Sequence, residues 1–138
     1  MSEAYDGALS TGENLFSTQD VENLVRFGDL KAERGDVIQV DPPQAYGIVQ
    51  YGRTVAMLER HGWPRRGLFP HGGNQMSLAI AGGFGLGGAE SYPGVFGVFG
   101  GFADDAKVVD GYLPLSDRPG IGFEGQSALY RVMRDLAA

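Results

Sequence analysis

The sequence contains no cysteine. That absence removes disulfides, thiolate nucleophiles and cysteine-ligated zinc as explanations for anything the chain does. Basic residues are scarce as well, 11 Lys and Arg against 17 Asp and Glu, for a formal net charge of -6 over 138 residues. With no Lys/Arg stripe to displace counterions from a phosphate backbone or to meet anionic headgroups, neither nucleic acid nor a membrane surface is an expected partner. Long apolar runs are missing too. The longest, Leu78 to Ala89, is interrupted by five glycines, and the acidic N-terminus lacks the charged-then-apolar order of a secretory signal. The expectation is a soluble, cytoplasmic protein. Glycine, by contrast, is abundant at 23 residues, in a composition 43% hydrophobic and 20% charged that fits one globular domain with a buried core.

Read along the chain, apolar patterning alternates between two periods. Ala8 to Glu13 is a short half-apolar run that ends in a carboxylate and reads as a strand. Ser17 can cap the helix that follows, with Asp20 three residues on and Val21, Leu24, Val25 and Phe27 as its stripe, ended by Gly28. The β-branched run Asp36 to Asp41 reads as a buried strand before Pro42 and Pro43. From Ala45 to His61, Tyr46, Val49, Val55 and Leu58 fit a helix closed by Arg60, His61 and Gly62. Gly67 to His71 is a third strand-like run, Asn74 can cap a helix through about Ala81, and the loop Gly82 to Gly88 leads to a brief extended piece holding Glu90.

This order predicts βα units around a parallel sheet. Glu13, Asp41, His71 and Glu90 are separated by 28, 30 and 19 residues, against about 30 residues for one βα unit. In a (β/α)8 barrel, groups at that period would converge on the C-terminal face of the strands, although the chain has only about half of the roughly 250 residues such a barrel needs. After Tyr92 the pattern changes. Asp110-Gly111 inside Lys107 to Leu113 predicts a hairpin, Asp117 to Gly120 a turn, and Leu129, Val132, Met133 and Leu136 a C-terminal helix. The predicted fold is therefore α/β, the C-terminal half of a TIM-type barrel of about four βα units with a C-terminal hairpin and helix. It forms a single partial domain over 1–138, with barrel elements in 1–93 and a return segment in 94–138.

Each titratable residue at a strand end has a plain reading beside a chemical one. Glu13 could be a surface residue or a cap partner, Glu90 could be simply exposed, and Asp41 could start a turn. The sharper reading pairs Asp41 with His71, because an Asp that accepts from one imidazole nitrogen fixes the tautomer and raises the basicity of the other. His61 is already explained by its place in the last turn of a helix. Gly72 and Gly73 would let a ligand approach the backbone after His71, and the helix begun by Asn74 favours an anion such as a substrate carboxylate. The glycine run 83–88 is not a dinucleotide fingerprint, since it follows a helix and leads to a strand-like piece.

The order of segments Gly12-Glu13-Asn14, Gln39-Val40-Asp41, Pro70-His71-Gly72-Gly73, Gly85 to Pro93 and Pro119 to Glu124 resembles the C-terminal part of an enolase-superfamily enzyme. Within it the chain is most similar to the mandelate racemase subgroup, and there to acid-sugar dehydratases of the tartrate dehydratase type. The resemblance implies a Mg2+-dependent lyase that removes the proton next to a carboxylate and eliminates water from a small α-hydroxy carboxylate substrate. It makes Glu13, at the fifth barrel strand, a metal ligand. Asp41 and His71 become the catalytic dyad of the sixth and seventh strands, with His71 as base or as the acid that helps the β-hydroxyl leave. Glu90 and Asn74 become substrate-binding residues, Glu90 through the substrate carboxylate as it gains enolate character.

Two further metal carboxylates and a Lys acid/base of such enzymes belong to a first barrel half and capping domain that this sequence does not match. Magnesium binding by this chain alone is accordingly expected to be weak or absent, and the isolated chain is expected to be inactive. The alternative is a non-catalytic half-barrel that self-associates as a homo-oligomer or complements a missing N-terminal half.

Overall fold

A computed structural model describes residues 4–92 and 94–138; residues 1–3 and Pro93, where the barrel elements were expected to end, lie outside the described residues. The predicted alternation of short strands and amphipathic helices is present from Ser10 to Phe84, but the strands are shorter than their apolar runs. Strand β1 (Ser10–Thr11) pairs in parallel with β2 (Val37–Ile38), with Ser10 opposite Val37 and Thr11 opposite Ile38. The amides of Val37 and Gln39 donate to the carbonyls of Leu9 and Thr11, each at 2.8 Å. Leu68 continues the sheet by one parallel bridge to Ile38. Glu90 follows by one hydrogen bond, its amide to the carbonyl of Pro70 at 3.3 Å. Prolines truncate these pairings: Pro42, Pro43 and Pro70 carry no N–H to extend a ladder past Asp41 or Phe69.

A buried carboxylate ties the start of the sheet together. Asp36 accepts from the backbone amides of Leu9 (2.8 Å) and Lys31 (2.7 Å), and from Nε (2.8 Å) and Nη2 (2.5 Å) of Arg34. The Arg34 guanidinium, and then the two amides, outweigh the burial of Asp36 and hold its carboxyl well below the usual carboxylate range.

Helix α1 (Thr18–Phe27) starts as predicted, with Ser17 Oγ accepting from the amide of Asp20 at 3.1 Å. It buries Val21 against the core but leaves Phe27 74% exposed under the guanidinium of Arg26. Helix α2 (Gly47–Arg60) begins two residues later than predicted, after Tyr46 in a left-handed conformation. Its buried stripe is Tyr51, Thr54, Val55 and Leu58, at i, i+3, i+4 and i+7, whereas Tyr46 and Val49 of the predicted stripe are 83% and 68% exposed. Thr18 joins the two helices through Thr54 Oγ1 (2.9 Å) and Gln50 Nε2 (2.8 Å).

Helix α3 (Gln75–Phe84) runs three residues beyond its predicted end into the glycine-rich stretch. Packing draws it on, because Phe84 meets the ring of Tyr51 at 6.4 Å between centroids. The core includes Val21, Ile38, Val55, Leu58, Leu68 and Ile80, and each such side chain contributes about 1.5–3 kcal/mol when withdrawn from water.

The return segment is pinned to the start of α3. Gly101 donates to the carbonyl of Gly73 at 2.9 Å, while buried Gln75 donates to the carbonyl of Ile121 (2.9 Å) and accepts from the amide of Ala103 (3.1 Å). The predicted hairpin turn forms at Asp110 and Gly111, both with positive φ, between reciprocal hydrogen bonds of Val109 and Tyr112. Helix α4 (Ser127–Ala137) closes the chain and buries Leu129. The result is an α/β arrangement of four α-helices and a small parallel sheet among the described residues. No helix among them is long and apolar enough to cross a membrane.

Candidate active site

Successive sheet segments place their terminal side chains together. Asp41, three residues past β2, is only 5% exposed and meets His71, three residues past the Leu68 bridge, through Oδ2 to Nδ1 at 3.3 Å. Gln44 Nε2 donates to the same Asp41 oxygen at 2.9 Å, whereas Asp41 Oδ1 is buried with no hydrogen-bond partner among the described residues. A buried bare acceptor is uncommon, and this one lies on the carboxylate that meets the imidazole. The backbone of His71 is itself fixed, since the hydroxyl of fully buried Ser77 donates to its carbonyl at 2.8 Å.

The other imidazole nitrogen, Nε2, lies 3.7 Å from Oε2 of Glu90. Glu90 accepts from Gly72 N at 3.3 Å, from the hydroxyl of Tyr92 and from the amide of Gln39. The ring of Tyr92 stands edge-on to His71, with centroids 5.8 Å apart. Burial, then the charges of Glu90, Glu13 and Asp41, push the Tyr92 phenol up to about 12, so it is a protonated donor at neutral pH.

Two glycines make this closeness possible. A methyl on Gly72 (φ +102°) would lie 2.7 Å from Asn74 Nδ2 and 3.1 Å from Asp41 Oδ2. A methyl on Gly73 (φ +52°) would lie 2.7 Å from the amide nitrogen of Tyr92. Here the glycines bring protein to protein, a use the sequence reading had given to a ligand.

Asp41, His71, Gly72, Gln44 and Asn74 are polar lining of a cavity of about 660 Å³, which Met76, Phe96, Phe99, Phe123, Leu129 and Met133 also line. Asn74 has two tasks there. Its Oδ1 caps α3 by accepting from Ser77 N at 3.0 Å, which leaves its amide group as the part that can meet a bound anion. The structure therefore brings Asp41, His71, Asn74 and Glu90 to one place. Glu13, half-buried after β1, is near enough for its charge to act on Tyr92 but forms no hydrogen bond or ion pair with the other four.

Magnesium requires several oxygen ligands at once. Among the described residues no group of three or more His, Asp or Glu side chains is arranged to hold a metal ion. Glu90 is engaged by three donors and Asp41 by Gln44 and His71, so Glu13 is the carboxylate left to face a cation. These donors do not fit a complete magnesium site.

Sequence reasoning missed Gln39, Tyr92, Gln44 and Ser77. For the first two a signal existed: Gln39 is two residues before Asp41 and Tyr92 two after Glu90, the spacing that puts alternate side chains of extended backbone on one face. Gln44 and Ser77 act across a turn and a helix start, where no comparable period exists. The family model described as enolase C-terminal domain-like matches residues 2–128.

Proposed function

The chain belongs to the enolase C-terminal domain-like family, and from that membership and the Asp41-His71 geometry we propose that it is the acid/base portion of an acid-sugar dehydratase of the tartrate dehydratase type. The observation that carries the proposal is the placement of His71. One ring nitrogen is held by a buried carboxylate, the other faces a second, and the ring borders a cavity large enough for a small α-hydroxy acid. Enzymes of this superfamily are generally lyases or racemases and typically use Mg2+.

In the proposed reaction Asp41 fixes the tautomer and orientation of His71. His71 then moves the proton next to the substrate carboxylate, or delivers one to the departing β-hydroxyl. The amide of Asn74, at the start of α3, orients the carboxylate. The parallel segments ending at Glu13, Asp41, His71 and Glu90 serve as the second half of a TIM-type barrel, and the return segment 94–138 closes over the dyad. Glu13 would supply one oxygen ligand of a magnesium ion whose other ligands would come from a complementary first half.

Co-expression with the first half of a related dehydratase tests this. A folded complex is expected to release water from a tartrate or an aldarate in a Mg2+-dependent manner, and a folded complex that releases none from any of them overturns the proposal.

A second reading, a half-barrel whose role is association, is favoured by two observations. Among the described residues β1 has β2 as its sole partner strand, and Tyr46, Ile48 and Val49 expose consecutive apolar surface at the start of α2.

A further inference from the structure

Glu90 is the most heavily engaged carboxylate of the site. Gln39 Nε2 donates to its Oε1, while the Tyr92 hydroxyl and the Gly72 amide (3.3 Å) both donate to its Oε2. A carboxylate oxygen offers about two acceptor positions, so Oε2 is filled by the chain itself, and this is the oxygen 3.7 Å from His71 Nε2. Three donors aimed at one carboxylate fix its direction.

The clamp is rigid on the tyrosine side. The Tyr92 ring packs edge-on to His71 at 5.8 Å and against Phe96 at 6.1 Å, and its backbone passes so close to Gly73 that no side chain fits there. We propose that Tyr92 is a positioning residue which, with Gln39, holds the Glu90 carboxyl group in one direction beside the Nε2 side of His71. Held there by donors from the chain itself, Glu90 sets what the Nε2 side of His71 faces. The titratable groups facing this cluster are Asp41 from the end of β2, Glu13 from the end of β1, and His71, Glu90 and Tyr92 themselves.

The inference rests on the reading of His71 as the proton-transfer group, and its test does not depend on turnover. In the 15N-labelled chain, the ring resonances of His71 report what each nitrogen meets. Tyr92→Phe keeps the ring and removes the hydroxyl. It is expected to move the Nε2 resonance by about as much as Glu90→Gln does, to leave Nδ1 in place, and to cause no further movement when combined with Glu90→Gln. Gln39→Met, which releases Glu90 from the other oxygen, is expected to move Nε2 in the same direction. An Nε2 resonance unchanged in Tyr92→Phe and in Gln39→Met, or shifts that add to that of Glu90→Gln, would overturn the assignment. Absence of turnover in the reconstituted complex, with these shifts observed in the chain, would instead count against the dehydratase reading.

Discussion

Asp36 and Asp41 are both buried carboxylates on either side of β2, and the difference between their partners separates structure from chemistry. Asp36 is saturated by Arg34 and two backbone amides, whereas Asp41 keeps one oxygen bare beside His71. Replacing Asp36 with Ala strips charge-assisted hydrogen bonds from Leu9 and Lys31, so urea unfolding at pH 7 is expected to show a loss of about 1.5–3 kcal/mol. Its pH dependence has a definite sign. The folded-state pKa is depressed, so the contribution of Asp36 is fully present above the unfolded carboxylate value of about 4 and is lost as pH falls below it toward the folded value. The gap between wild type and Asp36→Ala should therefore narrow between about pH 4 and pH 2; a gap that stays constant over that range would show that the ionised carboxylate is not what Asp36 contributes. Asp41 was legible from its place directly after a β-branched run and before Pro42 and Pro43. Asp36 was hidden, since an acid at the head of a β-branched run looks like an ordinary strand start and its backbone partners, Leu9 and Lys31, lie outside that run.

At the level of elements, the helices were legible and the strands only partly so. Ser17 and Asn74 cap α1 and α3 as their side-chain chemistry predicts, and Asp110-Gly111 makes its tight turn, because these are local effects of one to four residues. What lies beyond that range was not legible. The apolar face of α2 was predicted to include Tyr46 and Val49, yet contact with α1 through Thr18 and Thr54 turns the helix so that both face outward. The third and fourth strand segments shrink to a bridge at Leu68 and a single bond at Glu90, because a run's β-propensity does not state how many neighbours will pair with it. Asn74→Ala removes the α3 cap and is expected to lower stability by about 1 kcal/mol. The same variant should weaken binding of an α-hydroxy acid in the reconstituted complex, measured by calorimetry. Loss of stability with binding untouched would leave Asn74 a cap alone.

For the whole molecule, family membership and an α/β arrangement agree with the alternation and spacing read from the chain, while closure of a barrel depends on strands that the described residues do not contain. The open side of β1 and the apolar start of α2 predict that the protein does not stay monomeric. Sedimentation at micromolar concentration should show a dimer or larger species, and a clean monomer would count against the association reading. The central claim is that His71, oriented by Asp41, moves the proton next to a substrate carboxylate. Its most direct test is α-proton exchange of tartrate in D2O, followed by NMR, in the complex reconstituted with a complementary first half and Mg2+. The account predicts exchange or elimination by the wild-type complex and a loss of about 10²–10⁴-fold in His71→Asn. Equal rates in wild type and His71→Asn, with both complexes folded, would contradict it.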